Sequence, residues 1–242
     1  MDRFKPARRP TLRRHALSIA ALSLCAMACG TAAAFELDTG NDDLQVRFDN
    51  TVRYNLGYRT EGQNRALLTN LNTDDGDRNF GKHSIVNNRV DVLTEFDAVF
   101  QKRFGARVSA ASWYDQAYSG TLDNTSVATS NHLVNGAPAL GLSNYTDRYY
   151  NGPSGEILDA FVFGGFDAGN VPVNLRLGRH VVNWGEALLG SGAIHGISYG
   201  QAPLDQAKAF GSPGIEAKEP YRPLTQLSGT ILATPQLTFA GQ

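Results

Sequence analysis

Cysteine, long apolar runs and positive charge are all scarce in this sequence. Both cysteines, Cys25 and Cys29, lie within the first 34 residues. If those residues are removed, the rest of the chain has no thiol for a disulfide, a zinc site or a nucleophile. Beyond residue 34, no apolar stretch approaches the roughly 18 residues that a membrane-spanning helix requires. The composition therefore excludes a disulfide-stabilised domain and a spanning helix in residues 35–242.

The charge balance argues against a nucleic-acid partner. Removing residues 1–34 takes away six of the 22 Lys and Arg residues and one of the 23 Asp and Glu residues. The remaining 16 basic and 22 acidic residues give a net charge of about -6 near neutral pH. Because nucleic-acid binding needs a basic surface, we expect no nucleic-acid partner.

The first 34 residues have the three parts of a secretory signal peptide. Six Arg and Lys residues precede an apolar run from Ala16 to Ala28, and the small residues Ala32 to Ala34 follow it. The run of about 13 residues is too short for a transmembrane anchor. We therefore predict a cleaved signal peptide at residues 1–34. Lipid attachment at Cys29 is the alternative.

Alternating apolar and polar residues predict long β-strands. From Leu44 to Tyr58, apolar side chains occupy one parity and polar side chains the other, with Asn50 as the exception on the apolar parity. A period of two over about fifteen residues is typical of a transmembrane strand with one lipid-facing and one polar face. The pattern recurs from Val90 to Phe100, where Leu93 is the exception.

About seven strands are predicted in all. Short turns join strands into hairpins, and long polar segments at about 59–87 and 119–155 separate the hairpins. This asymmetry is typical of outer-membrane barrels, although a soluble sandwich also gives alternating strands. Residues 185–223 lose the alternation, and we interpret them as a loop or an inward-folded plug. The other predicted strands are 107–115, 156–166, 173–177, 224–233 and one that begins at Leu237.

These strands predict an all-β fold, an antiparallel transmembrane β-barrel preceded by a signal peptide. In hydrocarbon every backbone polar group needs an internal partner, so without spanning helices only a closed barrel is stable. Bacterial single-chain barrels close with an even number of strands, eight or more. We therefore expect residues 35–242 to be the N-terminal part of an outer-membrane barrel domain. The barrel would be incomplete in this chain, which we expect to be part of a longer protein or a truncated gene product.

Charged residues on the polar parity are candidates for lining the barrel lumen. A lipid-facing Arg or Lys costs about 2 to 4 kcal/mol at the bilayer midplane, so charges are expected to face inward. They either line a pore that selects solutes or form salt bridges that fill a narrow barrel. The candidates are Arg47, Arg53, Arg89, Asp91, Glu95, Asp97, Arg107, Asp115 and Arg176.

Aromatic residues near the predicted strand ends are assigned to the membrane interface, where aromatic side chains are enriched. We prefer this interpretation to a ligand-binding site. The residues are Tyr58, Phe100, Trp113, Tyr114 and Trp184.

Three further patterns are candidates for chemical sites. Gly196 to Gly200 matches the nucleophile elbow of serine hydrolases, but no histidine follows Ser198, as that fold requires. Asp74, Asp75 and Asp77 miss the spacing of a calcium-binding loop. The histidines lack the spacing of metal ligands. We therefore expect no enzymatic activity, no metal site and no cofactor.

Several segments resemble a known family. They include Phe48 to Val52, Asp74 to Phe80, Ala111 to Asp115, Ile157 to Gly164 and Arg176 to His180. Over nearly all of residues 35–242 the sequence resembles the N-terminal portion of domain-of-unknown-function family 1302, a group of Gram-negative outer-membrane proteins. The resemblance implies an exported barrel protein of several hundred residues for which no catalytic residues are defined.

Two functions remain open from the sequence. The first is a porin-like outer-membrane channel or transport component for a small or apolar solute. The second is a structural or surface-binding barrel with no open pore, whose long loops contact a partner. A third hypothesis, an outer-membrane esterase that uses Ser198, is less consistent with the sequence because no histidine follows Ser198. The expected partners are outer-membrane lipid, an unknown solute and other envelope proteins.

Overall fold

The computed structural model of the chain describes residues 35–71, 75–182 and 203–242. The predicted signal peptide, Asp74, Trp184 and Ser198 lie outside the described residues. Within the described ranges, no helix is long and apolar enough to cross a membrane.

The described residues form an antiparallel sheet of eight strands and a separate small hairpin. The hairpin pairs β5 (Leu133–Val134) with β6 (Ala137–Pro138). In spatial order, the strands of the sheet are β1 (Phe35–Leu37), β2 (Leu44–Tyr58), β3 (Ile85–Phe100), β4 (Phe104–Asp115), β7 (Ser154–Ala168), β8 (Val171–His180), β9 (Leu224–Thr234) and β10 (Leu237–Gly241). Within the described residues the sheet is open, with β1 and β10 at its edges.

The seven predicted strands are all present, and all their pairings are antiparallel. The eighth strand is β1, which pairs with β2 by placing Phe35 opposite Phe48. Three residues are too few to show a period of two, so alternation gave no signal for this strand.

Short and long connections alternate along the chain. The short turns are residues 38–43, 101–103, 169–170 and 235–236, and the long connections are residues 59–84, 116–153 and 181–223. Because each strand runs antiparallel to the previous one, the short turns join strands at one end of the sheet, and the long connections leave and rejoin it at the other end. The long connections contain the short helices α1 (Asp75–Asn79), α2 (Asn144–Tyr150) and α3 (Gln206–Gly211).

The two-residue turn between β7 and β8 depends on a glycine. Residues 169–170 join β7 to β8, and Gly169 has φ of 68°. The type I′ and II′ turns that are favoured in two-residue hairpins need positive φ at the first turn residue, which side chains other than glycine disfavour. The sequence Ala168-Gly169-Asn170 therefore fixes the register of this hairpin.

The two faces of the sheet differ in chemistry. One face is apolar and exposed: Val52, Tyr54 and Leu56 are 67%, 61% and 61% exposed. The same face also exposes Phe48, Phe96, Phe100, Val108, Tyr114, Val162, Leu177, Leu227 and Ile231. The other face carries charges, and residues 203–223, the inward segment, fold against part of it. A contiguous exposed apolar face marks a surface for membrane or protein contact.

Both exceptions to the alternation have local partners. Asn50 lies on the apolar face, where its Oδ1 accepts a hydrogen bond of 2.7 Å from Thr94 Oγ1 on the facing strand. Leu93 lies on the charged face and is buried in a small core. The other core residues are Ala111, Trp113, Tyr149 and Leu158. The core therefore lies between the charged face of the sheet and helix α2.

A bulge in β7 explains the irregular alternation of that strand. The register with β4 shifts between Val108 and Ala110, so Leu158 and Asp159 both lie opposite Ser109. The Asp159 N–H donates to Ser109 Oγ at 3.0 Å. Before the bulge even-numbered residues face the charged side, and after it odd-numbered residues do, because one extra residue reverses the parity.

Candidate functional site

The strand register places all nine predicted lumen-lining residues on the charged face. Arg53 lies opposite Asp91, Arg89 opposite Asp115, and Arg107 opposite Asp97. Glu95 follows the same parity of β3, Arg47 lies opposite Asp97, and Arg176 lies opposite the inward-facing Phe163. That this face lines a lumen stays a prediction.

Arg107 is the centre of one ion-pair cluster. Its Nη1 donates to both carboxylate oxygens of Asp97 at 3.1 Å, and its Nη2 donates to Glu95. Its Nε lies 3.7 Å from Asp159 Oδ2. Three carboxylates around one guanidinium leave an excess of negative charge. Lys218 of the inward segment offsets part of it by pairing with Glu95.

Arg89 forms a second cluster and is almost completely buried, with 1% exposure. Its Nε donates to the two oxygens of Asp91 at 3.0 and 2.9 Å. Its other nitrogens donate to the Tyr149 carbonyl at 3.1 Å and to Ser212 Oγ at 3.0 Å. A buried guanidinium is stable only when its donors are satisfied in this way. Arg89 thus joins the sheet to α2 and to the inward segment.

Two more buried ion pairs hold the inward segment on the sheet. Arg53 donates to the two carboxylate oxygens of Glu219 at 2.5 and 2.9 Å. Lys208 Nζ donates to Glu156 Oε1 at 2.5 Å and lies 5.2 Å from the centroid of the Trp113 ring. Glu219 and Lys208 are each 3% exposed. The segment therefore neutralises a positive charge of the sheet, on Arg53, with Glu219 and a negative one, on Glu156, with Lys208.

The inward segment owes its shape to local hydrogen bonds. Asp205 caps α3 by accepting a hydrogen bond from the Lys208 N–H at 3.0 Å. Aspartate is a preferred residue at this position because it satisfies a free N–H of the first turn. Leu204 and Tyr221 form an antiparallel bridge that closes the base of the segment. The segment is therefore a compact loop rather than an extended chain.

Glu219 and Lys218 of the segment remain charged at neutral pH. Burial would raise the pKa of the Glu219 carboxyl, but hydrogen bonds from Arg53 and the Glu216 N–H outweigh burial and hold that pKa below its usual range. Burial would lower the pKa of the Lys218 ammonium, but its bonds to Glu95 and Glu216 raise it above the usual value. Both ion pairs therefore persist over the physiological pH range.

Three of the nine candidates lie at the margins of these clusters. Asp115 accepts hydrogen bonds from the Asn87 side chain at 2.7 Å and from Ala117 N–H at 3.0 Å, so it shapes the end of β4. Arg47 is 53% exposed and reaches Asp97 at 3.5 Å. Arg176 is exposed, lies 5.6 Å from the centroid of the Phe161 ring, and is not covered by the described part of the inward segment.

Five charged residues of the site were not predicted. Glu156 and Asp159 lie on opposite parities of β7, and only the bulge brings both to the charged face. The other three belong to the inward segment, where the sequence has no period. They are Lys208, Lys218 and Glu219.

The assignment of Trp113 to the membrane interface is wrong. Trp113 is 4% exposed on the charged face, stacks on Tyr149 at a centroid distance of 6.0 Å, and donates from Nε1 to the Arg148 carbonyl at 2.9 Å. Trp113 and Asp115 are both odd-numbered residues of β4, so the alternation of that strand already places Trp113 on the charged face. The other described members of the set, Tyr58, Phe100 and Tyr114, lie on the exposed apolar face.

In the part of the chain that the structure describes, no group of His, Cys, Asp and Glu side chains is arranged to hold a metal ion. His180 is buried, lies 2.7 Å from Ser228 Oγ through its Nε2, and packs against Phe161. Asp77 of the acidic loop pairs with Arg59. These contacts give both residues structural roles.

Comparison with known proteins identifies a family. A family model with the description "Protein of unknown function (DUF1302)" matches residues 15–242. The match includes the whole eight-stranded sheet and confirms the family that the sequence motifs indicated. No curated protein and no solved structure matches the chain.

Proposed function

The chain belongs to the family described as "Protein of unknown function (DUF1302)", which supplies no activity, so we propose a function from the sheet itself. We propose that the protein is an outer-membrane β-barrel component that passes a small or apolar solute and that its inward segment controls access to the lumen. It acts without catalysis.

The observation that carries this proposal is the division of the sheet into an exposed apolar face and a partly covered charged face. A soluble sandwich buries its apolar faces between two sheets. Here Val52 and Leu56 are exposed, whereas Arg89 and Asp91 are buried. This arrangement suits a barrel whose outer surface contacts lipid and whose lumen is polar. The alternation of short turns and long connections supports the same interpretation, because outer-membrane barrels have short periplasmic turns and long outer loops.

The open edges of the sheet require further strands in a membrane. An unpaired backbone N–H or C=O costs several kcal/mol in hydrocarbon. Strands β1 and β10 form the edges of the described sheet and are only three and five residues long. We infer that additional strands complete the barrel at these edges.

A structural or surface-binding barrel with no open pore is the alternative. The inward segment favours this closed barrel, since two largely buried ion pairs hold it on the sheet. Arg53 with Glu219 and Lys208 with Glu156 are each 2.5 Å apart. The two functions differ in whether the segment leaves the charged face. A channel requires that movement, and a closed barrel forbids it.

Conductance distinguishes the two functions. The full-length protein is reconstituted in planar bilayers as wild type and as the double variant Glu156→Gln and Glu219→Gln. If the segment is a gate, the variant raises the mean conductance about tenfold or more, since each 1.4 kcal/mol lost from the closed state shifts the equilibrium tenfold.

The matched control is Asp167→Asn. Asp167 pairs with Arg103 near a short turn, and both side chains are about half exposed, at 48% and 59%. This variant should leave the conductance unchanged. If wild type and double variant both insert but pass neither ions nor solutes, the channel function is wrong and the closed barrel is supported.

A further inference from the structure

A cavity of about 200 Å³ lies among the long connections and does not use the ion pairs of the inward segment. Its walls come from the end of α1, from the turn after β4 and from the connection that contains α2. An engineered cavity of about 150 Å³ holds a benzene molecule. The cavity therefore has room for one six-membered ring with a small substituent. An adjoining space of about 500 Å³ shares Tyr118, Leu140 and Leu142 with it and offers a route of entry.

Aromatic and aliphatic side chains form much of the wall. The rings of Tyr118 and Tyr150 have centroids 5.5 Å apart and planes tilted by 58°. Phe80 packs edge-on against Tyr118 at a centroid distance of 5.1 Å, so the Tyr118 ring is held in place from behind. Leu140 and Leu142 line the same cavity. Such a wall favours a planar ring, because aromatic rings bind one another in tilted or offset arrangements.

The lining has polar groups but, among the described residues that form it, no charged side chain. The polar side chains of the lining are the hydroxyls of Thr129, Ser130, Ser143 and Thr146 and the amides of Asn79 and Asn131. Burial raises the pKa of Tyr118 to about 12, so its hydroxyl is neutral at physiological pH. A charged ligand would lose its hydration without gaining a counter-charge, which is costly. The lining therefore selects neutral molecules.

Asn79 supplies a group for orienting a ligand. Its side chain is half-buried and lines the cavity, whereas the hydroxyls of Ser143 and Thr146 bond each other at 2.9 Å. An amide both donates and accepts, so it matches a ligand hydroxyl, which does the same.

We propose that this cavity binds a neutral single-ring compound that carries a hydroxyl group. The ring contacts Tyr118, Tyr150 and the two leucines, and the hydroxyl bonds Asn79. The site requires neither a closed barrel nor a movable inward segment, so it stands independently of the channel function.

Phenol is the probe, because it is a single ring with one hydroxyl and is uncharged at pH 7. The full-length protein in detergent micelles is titrated with phenol by equilibrium dialysis, and protein-free micelles serve as the reference. We expect saturable binding of one phenol per chain with a Kd of about 1 mM or tighter. Benzoate, the anionic comparator, should bind at least about tenfold more weakly, because its charge finds no partner.

Two variants test the position of the site. Leu142→Trp fills the cavity and should abolish phenol binding, and Leu133→Trp is the matched control on β5, outside the cavity lining. Asn79→Ala is a milder change that should weaken binding about fivefold through loss of one hydrogen bond. It keeps the test decisive if Leu142→Trp fails to fold.

Three results would overturn the proposal. They are phenol uptake no greater than that of empty micelles, phenol binding that is unchanged in both cavity variants, and binding of benzoate as strong as that of phenol. Preferential binding of glucose over phenol would also overturn it, because a sugar requires hydrogen bonds in place of the aromatic wall.

Discussion

At the scale of residues, Glu219 is a principal contact between the inward segment and the sheet. It accepts two hydrogen bonds from Arg53 and a third, of 3.1 Å, from the Glu216 N–H. Only tertiary contact makes it important, since Arg53 and Glu219 are separated by 166 residues in the sequence.

We expect Glu219→Gln to destabilise the docked segment by about 3 kcal/mol, because removing one partner of a buried pair leaves the other charge unpaired. Hydrogen exchange of residues 203–223, followed by mass spectrometry, measures this effect. Glu216→Gln is the matched control. Glu216 is 41% exposed, so its loss should cost less than about 1 kcal/mol. Equal exchange rates in the two variants would contradict the role of Glu219.

The lowered pKa of Glu219 predicts how docking responds to acid. A carboxyl whose pKa is lowered in the docked state stabilises that state above its ordinary pKa, about 4.3, and this contribution is lost as pH falls through the lowered value. We therefore expect docking to be constant from pH 8 to about pH 5 and to weaken below about pH 4.

Fluorescence of Trp113 reports this transition, because Lys208 of the segment lies over its ring. The chain has two tryptophans, so a Trp184→Phe background isolates the signal. In wild type the emission should shift to the red in acid. The Glu219→Gln variant should lose that part of the pH dependence, and an identical acid transition in both proteins would show that another group is responsible.

At the scale of elements, the β7 bulge decides which residues of that strand reach the charged face. Ser109 stabilises it by accepting a hydrogen bond from the Asp159 N–H. The bulge turns Glu156 and Phe161 to the same side, although their numbers differ in parity. A sequence pattern with a fixed period of two could not place both correctly.

We expect Ser109→Ala to lower the free energy of unfolding by about 1 to 3 kcal/mol, since a buried N–H loses its acceptor. Urea unfolding of the purified protein measures the change. Ser112→Ala is the control on the same strand, because Ser112 lies exposed on the apolar face. Its effect should stay within about 0.5 kcal/mol. Similar losses in both variants would mean that the bulge does not depend on Ser109.

At the scale of the whole molecule, the exposed apolar face allows a test of the proposed membrane location. Val52 lies near the middle of β2 and is 67% exposed. In water, Val52→Arg would change stability little, because surface substitutions usually cost less than about 0.5 kcal/mol. In a bilayer the same substitution should cost about 2 to 4 kcal/mol, because arginine is placed in hydrocarbon.

Folding into lipid vesicles, followed by urea titration, measures this difference. Leu67→Arg is the control, since Leu67 is 54% exposed in a long connection rather than on the sheet. We expect a loss for Val52→Arg and none for Leu67→Arg. If Val52→Arg is as stable as wild type in vesicles, the apolar face does not contact lipid.

The sequence by itself determined every strand except β1, the face that most of their side chains occupy, and the family, because these follow from a local period and from short motifs. Leu44 to Tyr58 shows this best: its alternation alone separates Arg53 from Val52 and Tyr54. The position of all nine predicted charged residues on one face could be predicted for the same reason.

Only the tertiary structure decided how those charges are paired and what covers them. The partners of Arg53, Arg89 and Glu95 in the inward segment lie more than a hundred residues away in the chain. Contacts between residues so far apart produce no periodic pattern in the sequence. A one-residue bulge also reverses the alternation of a strand without any recognisable sequence motif. The cavity beside Tyr118 likewise arises from three separate pieces of chain, so its neutral lining exists only once they are folded together.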